Sequence, residues 1–298
     1  MTSMIERYLI HYFLAVMDHG NFSRAAQQCR VSQPTLSVGI AKLEALVGHV
    51  LFHRTNRRVE LTSAGAAFAV HARRIEAEFS RATQAMAMEQ PGKLVRIGLV
   101  STLPGPWVEA ATRAACSVVG ERIEIVEGRM RDLMPRLERG RIDVALGVLD
   151  STADDADMLF EEGYALAMAA DHPLAGHATL NAEQVAAAEM VVRRNCEALP
   201  HVSRFFTRRG VRPFFAARTA DDARAVAFVK AGLGITVMPR CFAQAGMAMP
   251  ALVGFDQRRR VGLIADPAAR GRIKDSEGLR RFTETIRGLA DQMVAPSR

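Results

Sequence analysis

The chain has little lysine and little cysteine, and it lacks any apolar run of membrane-spanning length. A bilayer crossing takes about 20 consecutive apolar residues, so no membrane partner is expected. The stretch from Tyr8 to Met17 resembles a signal-peptide core, but Glu6 and Arg7 precede it and His11 sits inside it. Asp18 then stands where a small cleavage-site residue belongs. The four cysteines, Cys29, Cys116, Cys196 and Cys241, form no CxxC pair and no disulfide framework, which points to a reducing compartment. A soluble, cytoplasmic protein is therefore expected. The eight histidines are scattered without metal-ligand spacing, and neither metal nor cofactor is expected. There is no GxSxG, no HExxH and no Walker loop. Gly232-Leu233-Gly234 lacks the third glycine and the strand-to-helix position of a dinucleotide fingerprint. These absences argue against an enzyme.

What is present is a globular balance, 49% apolar and 24% charged, in 298 residues. That length predicts two or three compact units. The net charge is +7, and only four of the 39 basic residues are lysine (Lys42, Lys93, Lys230, Lys274). GC-rich coding gives the same arginine and alanine bias, so the placement of charge says more than its total. Between Arg24 and Arg58 lie six cations (Arg24, Arg30, Lys42, Arg54, Arg57, Arg58) against one acid, Glu44. Such a concentration suits phosphates.

The local patterns around these cations are helical. Ile5, Leu9, Tyr12, Phe13 and Val16 mark one face of a first helix over 4–17, and Gly20-Asn21 breaks it. Ser23 is the expected N-cap of a short second helix through Cys29. Ser32 caps a third, with Pro34 in its first turn and Gly48 as its stop. Leu36, Ile40, Leu43 and Val47 point inward. Two short helices joined by a three-residue turn form a helix-turn-helix, whose second helix carries its N-terminal residues to base edges. Gln33, Thr35 and Ser37 hold that position, with Lys42 further along. Short strands at 50–52 and 58–61 flank a basic hairpin, placed as a wing for phosphate or minor-groove contact.

The stretch from Asn21 to Gly65 resembles the winged helix-turn-helix of LysR-type transcriptional regulators. SRAAQQC, VSQPTLS, KLE, LFHR and LTSAG occur in the family's order and spacing. The resemblance implies DNA contacts from Ser23, Arg30, Ser32, Gln33, Pro34, Thr35, Ser37, Lys42, Arg54, Arg57 and Arg58. One departure stands out. Val38 and Gly39 occupy positions where the family usually carries arginine or glutamine, which removes one expected contact. A mid-helix glycine is also expected to cost about 0.5–1 kcal/mol relative to alanine.

From Thr62 to about Met88 nothing interrupts a helix. Ala64, Phe68, His71, Ile75, Phe79, Ala82 and Met86 step by three or four, near the seam of a two-stranded coiled coil. The resemblance implies a linker helix that dimerises the DNA-binding domains, with a helix packed on its own chain as the alternative.

Gln90-Pro91-Gly92 is a hinge-like break, after which strand-like runs alternate with helical ones: 95–100, 122–127, 142–147, 164–170, 189–193, 214–218 and 235–238. Helices fall between them, and a last one spans 276–294. That alternation predicts an open α/β sheet. RIDVALG at 141–147, DHPLA at 171–175 and AGLGI at 231–235 resemble phrases of the LysR-type effector domain. The expected whole is thus an α/β protein with an N-terminal winged helix-turn-helix (1–62), a linker helix (63–90) and a two-lobed, periplasmic-binding-protein-like effector domain (91–298). Lobe I would comprise 91–162 and 266–298, and lobe II 163–265, the chain crossing near 162–163 and 265–267.

The resemblance places a small-molecule effector between the lobes. Its expected lining is Ser101 and Thr102, Gly128 and Arg129, Arg194, Asn195 and Cys196, with Phe205 or Phe206 as an apolar wall. Arg194 and the hydroxyls suggest an anion. Cys196 holds a position like that of the peroxide-reactive cysteine in the family's oxidant-sensing branch. A helix N-terminus, Arg193 and Arg194 are expected to lower its pKa. That branch uses a second cysteine about nine residues on, and here 204–207 is Arg-Phe-Phe-Thr. A pocket or packing role for Cys196 is the main reading and single-thiol redox sensing the alternative. A third, from another class, is a solute-binding or enzymatic module with a basic adaptor. Expected partners are double-stranded promoter DNA, the effector, a second copy in a homodimer or homotetramer, and RNA polymerase.

Overall fold

A computed structural model describes residues 4–54, 59–87, 93–150, 156–267 and 269–294. The chain divides into two compact units, Met1–Pro91 with Glu138–Arg141, and Gly92–Leu137 with Ile142–Arg298.

The first unit contains α1 (Arg7–His19), α2 (Phe22–Gln28), α3 (Gln33–Val47), β1 (Phe52–Arg54), β2 (Val59–Leu61) and α4 (Ser63–Ala87). Gly20 and Gly48 end α1 and α3 in the left-handed conformation, at φ +58 and +73, where only glycine is free of strain. The second helix begins two residues earlier than the sequence predicts. Asn21, not Ser23, caps it by accepting the Arg24 N–H at 3.0 Å, which leaves Ser23 inside the first turn. Ser32 caps α3 as expected. Leu9, Phe13, Val16, Leu36, Ile40 and Leu43 are fully buried, whereas Val47 is only half-buried. Phe13 joins the elements, packing on Phe52 at 5.1 Å and edge-on to Phe68 of α4 at 5.0 Å.

The wing strands pair antiparallel, Phe52 opposite Leu61. Glu44 ties them to α3 by accepting the N–H groups of Leu51 and Phe52. Thr62 caps α4, accepting the Gly65 N–H at 2.9 Å. The expected heptad seam divides. Phe68 packs into the core of this chain, while Ile75 and Phe79 are exposed together with Val70, which the seam did not include.

The second unit runs β3 (Lys93–Val100), α5 (Gly105–Cys116), β4 (Glu121–Gly128), α6 (Met130–Glu138), β5 (Val144–Leu149) and β6 (Asp157–Ala169). It continues through β7 (Thr179–Leu180), β8 (Met190–Arg193), α7 (Leu199–Arg208), β9 (Phe215–Thr219), α8 (Asp222–Lys230) and β10 (Thr236–Pro239). After a short 3₁₀ turn (Arg240–Phe242) come β11 (Met247–Ala248), β12 (Ala251–Leu252), β13 (Arg258–Ala265), α9 (Arg270–Lys274) and α10 (Glu277–Val294). The main sheet has the order β10-β6-β13-β5-β3-β4, parallel among β4, β3 and β5 and antiparallel beyond. The parallel pair β8-β9 lies apart from it.

Two long antiparallel strands, β6 and β13, run side by side in the main sheet. The first half of β6 pairs with β13, and from Tyr164 onward it pairs with β10. Strand β13 is not among the strand-like runs the sequence predicts: its first three residues, Arg258-Arg259-Arg260, carry no apolar signal. It pairs with β5 from Arg260 to Ala265 and with β6 from Arg258 to Leu263. Buried Tyr164, Leu166, Phe205, Phe206 and Phe255 form a separate core for the second lobe.

Candidate functional site

In the first unit, the N-terminal turn of α3 presents Gln33, Pro34 and Thr35 to solvent, with Ser37 half-buried. Ser32 is committed to structure: its Oγ accepts the Thr35 N–H at 3.2 Å and lies 2.7 Å from Thr35 Oγ1. Lys42 is exposed but donates to Glu6 at 2.6 Å and to Tyr8 Oη at 3.3 Å, so its charge is shared with α1. Ser23, Arg24 and Arg30 are exposed around the turn, and Arg30 holds φ +56. Arg54 ends β1, while Arg57 and Arg58 lie outside the described residues. Gly39 faces inward: a Cβ there would stand 2.6 Å from Tyr12 Cδ2. No longer side chain could reach DNA from that position without displacing Tyr12. Val38 is exposed instead.

In the second unit, strand ends from both lobes meet at a cleft. A cavity of about 390 Å³ is lined by Ser101, Gly128 and Arg129 from the first lobe and by Arg194 and Asn195 from the second. An adjoining one of about 400 Å³ shares Ser101, Gly128, Arg129 and Asn195. The Ser101 N–H donates to Gly128 O, and Asn195 Nδ2 donates to Ala220 O at 2.9 Å. Arg129 is paired with Asp132 at 2.7 Å, while Arg194 is exposed with no carboxylate partner among the described residues.

Three expected lining residues lie elsewhere. Thr102 is buried, its carbonyl accepting from Arg259 Nη1 at 3.0 Å. Phe205 is packed in the second lobe between Phe206 and Phe255, under the Arg209 guanidinium. Cys196 is buried beneath α7, and its pKa is raised, contrary to the lowering expected. Burial is the main cause and outweighs the nearby Arg193 charge. Arg193 is itself bound to both oxygens of Asp222, and α7 begins three residues beyond Cys196, at Leu199.

Charge patterning alone did not single out the residues that join the lobes. Arg259, fully buried, pairs with Glu162 at 2.8 Å and with Glu197 at 3.0 Å, and it donates to Thr102 O. Tyr164 Oη donates to Glu197 at 2.6 Å. Burial alone would raise the Glu197 carboxyl, but Arg259 and the Tyr164 hydrogen bond hold it below the usual glutamate value. Glu197 also lines the cleft. The available signal was the opposed pair Glu161-Glu162 and Arg258-Arg259-Arg260, which β6 and β13 bring side by side.

Residues 8–66 match the model of the bacterial regulatory helix-turn-helix protein, lysR family, and 89–288 match the LysR substrate binding domain. A probable hydrogen peroxide-inducible genes activator of Mycobacterium avium is 31% identical over 296 residues, covering 95% of this chain and 92% of that protein. The DNA-binding transcriptional dual regulator OxyR of Escherichia coli is 29% identical over 280 residues, covering 91% and 87%. A full-length OxyR variant from Pseudomonas aeruginosa shares the fold with a TM-score of 0.55 and 22% identity, over 95% of each chain. A helix-turn-helix joined to a two-lobed ligand-binding domain defines a class of ligand-controlled regulators of transcription. Within that class the chain belongs to the LysR family: it is a DNA-binding transcriptional regulator with an effector-binding domain, and its relatives are regulators, not enzymes. Among the described residues no helix is long and apolar enough to cross a membrane.

Proposed function

We propose that this regulator binds promoter DNA through the exposed start of α3 and is switched by a small anionic molecule held between its lobes. The observation that carries the reading is the cleft where Ser101 and Arg129 face Arg194 and Asn195. The Ser101 hydroxyl from the first lobe and the unpaired Arg194 guanidinium from the second give a carboxylate reason to draw the lobes together. Closure then biases an equilibrium between forms with differently spaced DNA-binding heads. Residues 1–62 serve as the DNA-binding domain, 63–90 as the dimerising helix and the remainder as effector domain. Lobe boundaries follow the strands, 93–163 with 258–294 for the first lobe and 164–257 for the second.

Dimerisation rests on the exposed Val70, Ile75 and Phe79 of α4, since two such faces bury one another. A two-fold pair of α3 helices reads a near-palindromic site with half-sites about one helical turn apart. Assembly to a tetramer, contact with RNA polymerase and a cytoplasmic location belong to the same reading. A gel shift on the gene's own upstream region tests it: a sequence-preferring complex that weakens with salt is expected, and its absence defeats the DNA reading. A thermal-shift screen of metabolites on the full chain tests the cleft, because a binder stabilises by mass action. Arg194→Ala must abolish the shift.

Redox sensing at Cys196 is favoured by the relatives named for hydrogen peroxide. The local geometry favours the protonated thiol, and peroxide reacts with the thiolate.

A further inference from the structure

Away from the cleft, the second lobe holds a cavity of about 520 Å³ between α7 and the strands β8, β9 and β10. That is the size of a small-molecule pocket, for which about 300–1,000 Å³ is usual. Its interior is apolar, formed by Met190, Val202, Phe206, Val211 and Val237. The polar groups that reach the interior are already engaged. Arg193 is bound to Asp222 and donates to Val237 O at 3.2 Å, and Thr236 Oγ1 donates to Val191 O at 2.7 Å. The interior therefore offers mainly dispersion contacts. An apolar interior of this size favours an apolar guest over water.

The rim has the opposite character. Arg212 and Arg218 line it, both exposed, beside the hydroxyls of Ser203 and Thr207. Neither arginine has a carboxylate partner among the described residues, and Arg218 lies 5.2 Å over the Phe215 ring. An occupant thus meets an apolar interior first and a cationic rim where it emerges. We infer that this cavity is a second ligand site, which takes an amphipathic carboxylate with its alkyl chain beneath α7 and its headgroup against Arg212 and Arg218. Cys196 forms part of the wall, while its neighbours Arg194, Asn195 and Glu197 line the cleft. One loop therefore borders both cavities, and the second site stands or falls independently of the anion reading of the first.

Isothermal titration of the full-length protein with decanoate, decanol and butanoate tests the assignment. Decanoate and decanol bind saturably, one per chain, and butanoate does not. Replacing both rim arginines (Arg212→Ala with Arg218→Ala) weakens decanoate about tenfold, the worth of a charge-assisted contact, and leaves decanol unchanged. Val202→Trp fills the cavity and abolishes both, whereas Arg194→Ala in the cleft leaves decanoate binding intact. The assignment is overturned by an absence of saturable decanoate binding, or by binding that survives Val202→Trp in folded protein. Loss of binding with Arg194→Ala also overturns it, by placing the ligand in the cleft. If Val202→Trp does not fold, the rim variant decides alone: equal weakening of decanoate and decanol, or none of either, refutes the site.

Discussion

At Gly39 the third helix approaches the first so closely that a side chain has no room. The sequence alone predicts that alanine here stabilises, by helix propensity of up to about 1 kcal/mol. The structure reverses the sign, because the added Cβ would stand 2.6 and 2.9 Å from two atoms of the Tyr12 ring, and overpacking of this kind costs about 1–3 kcal/mol. Gly39→Ala should lower the urea midpoint of the first unit; a higher midpoint would mean that Tyr12 yields freely. Cys196 offers a second test at this scale. Burial pushes its thiol up, so alkylation with iodoacetamide at pH 8 should modify exposed Cys116 well before Cys196. Faster labelling of Cys196, read by mass spectrometry, would restore the thiolate and with it the redox reading.

Among the elements, α10 depends on a distant side chain for its start. Glu121 of β4 accepts from Ser276 Oγ at 2.7 Å and from the N–H groups of Glu277 and Gly278. Burial by itself would raise this carboxyl, but those hydrogen bonds and Lys93 at 3.6 Å hold it below the ordinary value of 4.5. A depressed folded-state pKa means that the charged form stabilises the fold at pH values above about 4.5, and that this stabilisation is lost as the pH falls through the folded value. Wild type should therefore exceed Glu121→Gln in urea stability at pH 6, and the gap should narrow towards pH 4. A gap independent of pH would assign the effect to packing.

At the scale of the whole effector domain, a buried cation bridges the two lobes. Arg259 reaches Glu162, Glu197 and the Thr102 carbonyl, so it ties the strand crossing to loops of both lobes. Arg259→Met leaves the buried Glu162 carboxylate without its cation, and breaking such a pair costs about 3–5 kcal/mol. Adding Glu162→Gln should recover part of the loss, because the coupling lies in the pair. Chemical denaturation of the single and double variants measures this; additive losses would show that Glu162 is stabilised by other groups.

The sequence by itself determined the local elements and their order. Gly20, Ser32, Pro34, Gly48 and Thr62 act through their own backbone and near neighbours, and short-range periodicity exposes the helix faces and the parallel strands. It also determined the family, because the motif order of the first 65 residues is a local property. Tertiary structure decided what depends on residues far apart in the chain. Asn21 in place of Ser23 is a two-residue shift between side chains of equal capping ability, and Asn21 accepts the Arg24 N–H. Strand β13 hides behind three arginines until Glu162, 97 residues away, accepts the middle one. Of the expected effector lining, Ser101, Gly128, Arg129, Arg194 and Asn195 surround the cleft, while Thr102, Cys196 and Phe205 turn inward. Adjacent residues at a strand end point in opposite directions, and only the packing of the second lobe fixes which of them faces its neighbour.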